Sequence, residues 1–272
     1  MERIWWKIKN ISNERNFTAT IKLNRNDSLI TLNEKLSEST NAVFFAISSI
    51  DKIDVLPEAL NDDENSIFTH EPLNKMSIDE SRINFKNWVL KKGFEDLITA
   101  LTELMISFSY IVDLNKNLKA NPKRTLGEFK QLMFKRNEKN TKLPFPKLIE
   151  KVNSSLKEPL KFSEEILSIN KVRNCLVHRN GIIHPTDFNI ENGLELKWWY
   201  YKVELKHGEQ KKELKRFDIV TPEDGIITTS ILKTKLFKDR QRVSFSFQEF
   251  FELSHFCQTV GFDMLDKFEL AE

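Results

Sequence analysis

The stretch "LKKGFEDLITALTELMISFSYIV", residues 90–112, has the most regular hydrophobic pattern of the chain. Its large apolar residues recur alternately four and three positions apart, which places them on one face of an α-helix about 30 Å long. These residues are Leu90, Phe94, Leu97, Leu101, Leu104, Phe108 and Ile111. Upstream, Ser77 and Glu80 have the spacing of a capping box, in which each side chain satisfies a free backbone N–H at a helix start. The stretch therefore predicts the long core helix of a helical bundle.

Further amphipathic segments follow this helix along the chain. Residues 125–136 and 145–156 are predicted to form two shorter helices separated by a loop at 137–144. Ser163 is expected to cap the next helix, with acidic residues in its first turn, where the helix dipole favours them. Asn180 and Gly181 should end that helix, because both residue types readily adopt left-handed backbone conformations.

The hydrophobic period changes to two between residues 194 and about 237, which predicts a β-hairpin or a small meander. After it, Ser246 and Glu249 form a second capping-box pattern. The helix that follows should bury one apolar face against the bundle. Its members are Phe250, Leu253, Cys257, Val260, Met264 and Phe268.

Residues 1–70 have a less regular pattern, and we treat them as an N-terminal α/β region of uncertain fold. Residues 5–9 and 18–23 could form short strands and residues 29–50 a helix, while the acidic run 61–66 resembles a solvated connector. The sequence thus predicts a mostly α protein. A helical domain over residues 71–272, interrupted by the β insertion at about 194–237, would follow the N-terminal region.

Composition restricts the classes of function. Lys and Arg total 42 against 40 for Asp and Glu, so a globally basic nucleic-acid binder is not indicated and any basic patch must be local. Two cysteines without a secretory leader suggest a reducing compartment, and we expect the protein in the cytoplasm. The most apolar run, 104–112, is too short to span a bilayer, so no membrane association is expected.

The helix before Asn180 contains the stretch "VRNCLVHRNG", residues 172–181. At about 100° per residue, Arg173 is predicted to lie within the apolar arc of this helix, where a guanidinium needs a partner. His178 falls about 140° away from Arg173 on the same projection. Asn174 lies one turn before His178, so its amide could orient the imidazole.

This arrangement resembles the HEPN superfamily, whose ribonuclease members carry an arginine, four to six residues and then a histidine, often with a polar residue after the arginine. Here "RNCLVH" supplies Arg173, four intervening residues and His178, with Asn174 in the polar position. The following "RNGII" also looks like the sequence that trails the motif in bacterial members. The resemblance covers about residues 77–270 and implies a helical-bundle fold.

The resemblance also implies a function: metal-independent cleavage of RNA at a site shared across a homodimer two-fold, leaving a cyclic phosphate and a 5′ hydroxyl. Arg173, His178 and Asn174 would be the catalytic residues, with no cofactor and no metal. Many members add an acidic residue from an earlier helix, for which Glu95 and Glu103 are candidates. Such enzymes commonly serve bacterial toxin–antitoxin or anti-phage systems, so an antitoxin or defence-system protein would be a partner.

Four basic side chains are predicted to contact RNA: Lys171, Arg179, Lys233 and Lys235. The last two lie between residues 197 and 242, where twelve Lys or Arg outnumber seven Asp or Glu and alternate with Trp and Tyr. Basic and aromatic residues together suit RNA, because cations meet phosphates and rings stack on bases. The other interpretation is that the aromatic residues pack on the helices and the lysines form a solvated face.

Other interpretations of the motif also stay open. Cys175 and His178 could join His255 and Cys257 in a Cys₂His₂ zinc site, although both spacings occur by chance. Arg173 could make a structural ion pair in a plain helical interaction protein. A protein of HEPN-like fold could also bind RNA or a nucleotide without cutting it.

Overall fold

The computed structural model describes residues 25–53, 77–120, 126–207, 210–214 and 225–268. The predicted short strands at 5–9 and 18–23 lie outside these ranges. The expected connector at 61–66 also lies outside them.

Helices dominate the described ranges, and a small antiparallel sheet is inserted before the last helix. The helices are α1 (Arg25–Ile50), α2 (Ile78–Ala120), α3 (Leu126–Thr141), α4 (Phe145–Asn153), α5 (Ser163–Arg179) and α6 (Phe247–Lys267), with a short 3₁₀ turn at Pro185–Asp187. The strands are β1 (Leu194–His207), β2 (Gln210–Glu213) and β3 (Gly225–Phe237). The predicted mostly α fold with a small β insertion is confirmed.

The two helices with the clearest sequence patterns form as predicted. Every residue of the apolar faces expected on α2 and α6 is buried. Ser77 and Glu80 exchange hydrogen bonds at the start of α2, since the Ser77 N–H donates to Glu80 at 2.9 Å and the Glu80 N–H donates to the Ser77 hydroxyl at 3.2 Å. Ser246 and Glu249 form the equivalent box on α6. Both capping predictions are therefore confirmed.

Helix α1 confirms and extends the helix expected at 29–50. Its residues Leu29, Leu32, Leu36 and Val43 belong to the same hydrophobic core as α2 and α6. Gly93 of α2 permits this close approach, because a Cβ there would lie 2.5 Å from Val43 and 2.8 Å from Phe250. The described part of the N-terminal region thus packs directly on the helical bundle.

Strand β1 occupies the centre of the sheet, in the order β2-β1-β3. It pairs with β3 along nearly its whole length, from Leu194 opposite Phe237 to Lys206 opposite Gly225, and with β2 only near His207. The hairpin or meander predicted from the period of two is therefore a three-stranded antiparallel sheet. Its first strand, rather than its second, is central.

Polar contacts attach the sheet to the helices. The Trp198 indole N–H donates to Glu252 of α6 at 3.0 Å, and both residues are only 2% exposed. The Trp199 indole donates to Glu165 of α5 at 2.8 Å. The Lys197 backbone N–H donates to the Ser168 hydroxyl of α5 at 2.9 Å, so α5 lies directly beside β1. For Trp198 and Trp199, packing on the helices is the interpretation that the structure supports.

Two local predictions are wrong. The loop expected at 137–144 is mostly helix, because α3 continues to Thr141, with Asn140 fully buried and its amide oxygen accepting from Lys151 at 2.6 Å. Ser163 does not cap α5; it is the first helical residue, and its hydroxyl instead donates to the Leu160 carbonyl at 3.1 Å. The acidic residues expected in the first turn of α5 are present there.

Helix α2 is long and apolar enough to cross a membrane by composition. However, 67% of its apolar window is buried inside the fold. Such burial is typical of the core helix of a soluble protein. The expectation that the run at 104–112 does not span a bilayer agrees with this burial.

Candidate functional site

The end of α5 is fixed by a tight helix stop. Asn180 and Gly181 both have positive φ, 51° and 74°, and the Gly181 N–H donates to the Cys175 carbonyl at 3.1 Å. The Asn180 N–H donates to the same carbonyl from five residues on, which is the six-to-one bond of a helix stop, and glycine is favoured at the second left-handed position because it has no Cβ to clash. The stop signal predicted from Asn180-Gly181 is confirmed.

The chain then pairs at once with the segment that precedes α6. The Val243 N–H donates to the Gly181 carbonyl at 2.8 Å, and Ile182 forms an antiparallel bridge with Arg242. The Ile183 N–H also donates to the Gln241 carbonyl at 2.9 Å. These bonds hold the last turns of α5 against the 241–243 segment.

Arg173 is half-buried, although Ile166 and Ile169, its neighbours on the helical projection, are fully buried. The side of α5 that packs on the protein centres on Val172, Cys175 and Leu176, whereas Val177, one turn after Arg173, is 44% exposed. Arg173 therefore lies at the border of the buried face and is half exposed. It needs no buried acidic partner, and none of its described contacts is to a carboxylate.

The three predicted catalytic residues lie on the open side of the last turns of α5. The Arg173 guanidinium donates to the amide oxygen of Asn174 at 3.4 Å. His178 is exposed, and no described side chain holds its imidazole. Asn174 therefore contacts Arg173 rather than orienting His178, contrary to the prediction.

Within one chain, Arg173 and His178 do not converge on a common point. Helix α5 stays regular through Arg179, so the angle of about 140° expected between the two side chains is retained. The guanidinium can swing on its long stem, but nothing distorts the helix between the two residues. One chain alone thus presents the two groups to different directions.

Arg179 pairs with a buried carboxylate, although about a third of its own side chain, 33%, is exposed. Its Nε donates to Asp187 Oδ2 at 2.8 Å, and its Nη2 donates to the second carboxylate oxygen. Asp187 is 3% exposed and also accepts from the His184 N–H at 3.0 Å, within the capping box of the 3₁₀ turn. This bidentate pair occupies Arg179, so its predicted contact with RNA has no support from the geometry.

The other three predicted RNA-binding residues also have partners within the chain. Lys171 donates to the Phe188 carbonyl at 2.9 Å. Lys233 pairs with the buried carboxylate of Glu252 at 2.6 Å and lies over the Tyr200 ring. Lys235 pairs with Glu249 at 2.8 Å. The two lysines of β3 make these contacts because their side chains reach the first turns of α6.

The two acidic candidates on α2 differ in their surroundings. Glu103 pairs with Lys35 of α1. Glu95 lies within 3.5 Å of Lys92 and acts electrostatically on Lys91, whose ammonium reaches the turn after α5. Of the two, Glu95 is therefore the one on the side of α2 that faces the end of α5.

Two cations at this end of α5 were not found from the sequence. The Lys91 Nζ lies 3.7 Å from the position that a Cβ on Gly181 would occupy, and Arg242 bridges to Ile182 in the adjacent segment. Burial, and then the positive charge of Arg242, lower the pKa of Lys91. No sequence signal links these positions, because only the tertiary packing of α2 brings them together.

The four residues of the alternative zinc site do not form a cluster. Cys175 and Cys257 are buried, whereas His178 and His255 are exposed. The Cys175 thiol is held in the interior by the Ile182 carbonyl at 3.3 Å, and burial raises its pKa. Over the part of the chain that the structure describes, no three His, Cys, Asp or Glu side chains lie close enough to hold a metal ion.

Comparison of the chain with models of protein families gave no match, and comparisons with curated proteins and with solved structures gave none either.

Proposed function

We propose that the protein is a metal-independent endoribonuclease of HEPN type, which acts in the cytoplasm as a two-fold homodimer. The observation that carries the proposal is the open position of Arg173 and His178 on the last turns of α5. Neither side chain is paired with a carboxylate of the described residues, so both are available to a phosphodiester. By resemblance, the biological setting would be a toxin–antitoxin or anti-phage system with a partner protein.

The proposed chemistry is transesterification at phosphorus. An imidazole takes the proton from the ribose 2′ hydroxyl, the 2′ oxygen attacks the phosphorus, and the bond to the 5′ oxygen breaks. A second group, acting as an acid, gives a proton to the leaving 5′ oxygen. Arg173 would neutralise the charge that develops on the phosphorane oxygens. The products would carry a 2′,3′-cyclic phosphate and a 5′ hydroxyl.

The divergence of the two side chains favours a site built from two copies. Because one chain directs Arg173 and His178 to different points, the Arg173 of one copy would act beside the His178 of the other. The second histidine of the pair would supply the acid that protonates the leaving group. Asn174 would hold the Arg173 guanidinium in place through its amide oxygen.

The test is incubation of the purified protein with mixed RNA in EDTA. Wild-type protein should release fragments with cyclic phosphate ends, and His178→Ala should abolish cleavage while leaving the melting temperature unchanged, because the imidazole is exposed. His255→Ala is the matched control, since it removes another exposed histidine from the chain and should cleave normally. Full cleavage by folded His178→Ala protein would overturn the catalytic assignment.

The same divergence supports a second candidate, a protein of HEPN-like fold that binds RNA or a nucleotide without cutting it. If two copies never bring Arg173 and His178 together, the accessible guanidinium of Arg173 can still hold a phosphate. Retention of RNA by the wild type in a binding assay, without cleavage in EDTA or in magnesium, would favour this candidate.

A further inference from the structure

Lys91 of α2 and Arg242 of the segment before α6 both lie next to the turn that ends α5, although they come from different parts of the fold. Gly181 is their common neighbour: the Lys91 Nζ lies 3.7 Å from the position of a Cβ on this residue. Arg242 bridges to Ile182, the next residue along the chain. The mutual repulsion of the two cations contributes to the lowered pKa of Lys91, after the larger effect of burial.

Among the described residues, no acidic side chain forms an ion pair with either of these two charges. The half-buried Lys91 ammonium makes no hydrogen bond with any described residue. The exposed Arg242 likewise forms no ion pair with any described residue. Glu95 attracts Lys91 at longer range but contacts Lys92 instead, at 3.5 Å. By contrast, the neighbouring Arg179 is neutralised by Asp187. Partial desolvation of like charges is unfavourable, and a bound anion would relieve it.

We infer that Lys91 and Arg242 form a phosphate-binding pair that holds the RNA backbone next to the cleavage site, an inference that rests on the proposed ribonuclease function. The pair is a positioning element, separate from the residues of the Arg173–His178 motif. It lies at the turn that follows His178 by three residues, a path of at most about 11 Å. One RNA strand can therefore touch both the pair and the imidazole.

A strand of RNA fits this position better than a structural counterion does. Within the described ranges, no acidic side chain pairs with Lys91 or Arg242 in the way that Asp187 pairs with Arg179. Lysine and arginine on two sides of a turn can contact separate oxygens of one phosphate, with Arg offering two parallel N–H groups. Such contacts fix the register of the nucleic acid without reading its sequence.

The test measures RNA binding by a variant that should not cleave the RNA. In the full-length His178→Ala chain, Lys91→Gln and Arg242→Gln are introduced together, and affinity for a fluorescent single-stranded RNA of mixed sequence is measured over a range of salt. The affinity should fall at least tenfold. The slope of log affinity against log salt should become shallower by about 0.7, the value for one phosphate contact on a single strand. The double variant should melt no lower than its parent, because removing facing cations relieves repulsion.

The matched control removes the same charge elsewhere, with Lys142→Gln and Lys147→Gln, whose side chains are exposed and pair with Glu138 and Glu150. Equal loss of affinity in the control and the test variant would overturn the inference, as would undetectable RNA binding by the parent. A lower melting temperature with unchanged affinity would instead assign the pair to stability.

Cleavage by the wild type is scored separately. Binding that depends on Lys91 and Arg242 without any cleavage would reject the nuclease proposal and keep the phosphate site.

Discussion

At the scale of single residues, Arg173 and Arg179 differ in what they do, although both lie on α5. Arg173→Ala should change the free energy of unfolding by no more than about 0.5 kcal/mol, because the side chain is half-buried and, among the described residues, its guanidinium hydrogen-bonds to Asn174 alone. Arg179→Ala should cost about 2–4 kcal/mol, since it leaves the buried Asp187 carboxylate without its guanidinium. Urea unfolding of the two variants gives both values.

Each of the two substitutions serves as the control for the other, because both remove one arginine from the same helix. If Arg173→Ala also destabilised the protein by several kcal/mol, loss of cleavage in that variant would not report on catalysis. Equal stability of the two variants would contradict the assignment of Arg179 to a structural ion pair.

At the scale of one element, the start of α6 should respond to acid. Burial raises the pKa of Glu249, but hydrogen bonds from Lys235 and the Ser246 backbone outweigh it, and the net pKa is lowered. A carboxyl with a lowered folded pKa stabilises the protein above its unfolded value near 4.5, and that stability is lost as the pH falls through the folded pKa. Glu249→Gln should therefore melt below the wild type at pH 7.

The difference in melting temperature between wild type and Glu249→Gln should shrink as the pH falls below about 4.5. Glu138→Gln is the control, because its carboxylate forms a surface pair with Lys142 that contributes little to stability. A gap between wild type and Glu249→Gln that stays constant from pH 7 to pH 3 would show that lost packing, rather than lost charge, is responsible.

The elements also show what the sequence can and cannot predict. Helices α2 and α6 were predictable because their caps and apolar faces are local patterns within a single segment. The side of α5 that becomes buried was not, because Arg173 and Arg179 both border apolar residues and only the packing of neighbouring elements selects between them. The position of Lys91 and Arg242 beside one turn depends on contacts between remote segments, so no spacing in the sequence could predict it.

At the scale of the whole molecule, the separation of Arg173 from His178 around α5 predicts a two-fold dimer with both motifs at the interface. Light scattering at micromolar concentration should give about twice the mass of one chain. Excess Arg173→Ala chains mixed with wild-type chains should leave part of the activity, because a mixed dimer keeps one Arg173 and both histidines, whereas excess His178→Ala chains should abolish it, because the second histidine is lost. Full cleavage by a protein that scatters only as monomer would contradict this arrangement.

The reactivity of the two buried thiols reports how often the structure around each of them opens. Cys175 lies beneath the motif on α5 and Cys257 within α6, and burial raises the pKa of both, that of Cys257 to about 12. A maleimide reacts only with an exposed thiolate. The alkylation rate of each cysteine therefore measures local unfolding of the structure around it. If the end of α5 frays independently, Cys175 will be alkylated well before Cys257. If the bundle opens only as a whole, both will be alkylated together, and a bound RNA will slow them by the same factor.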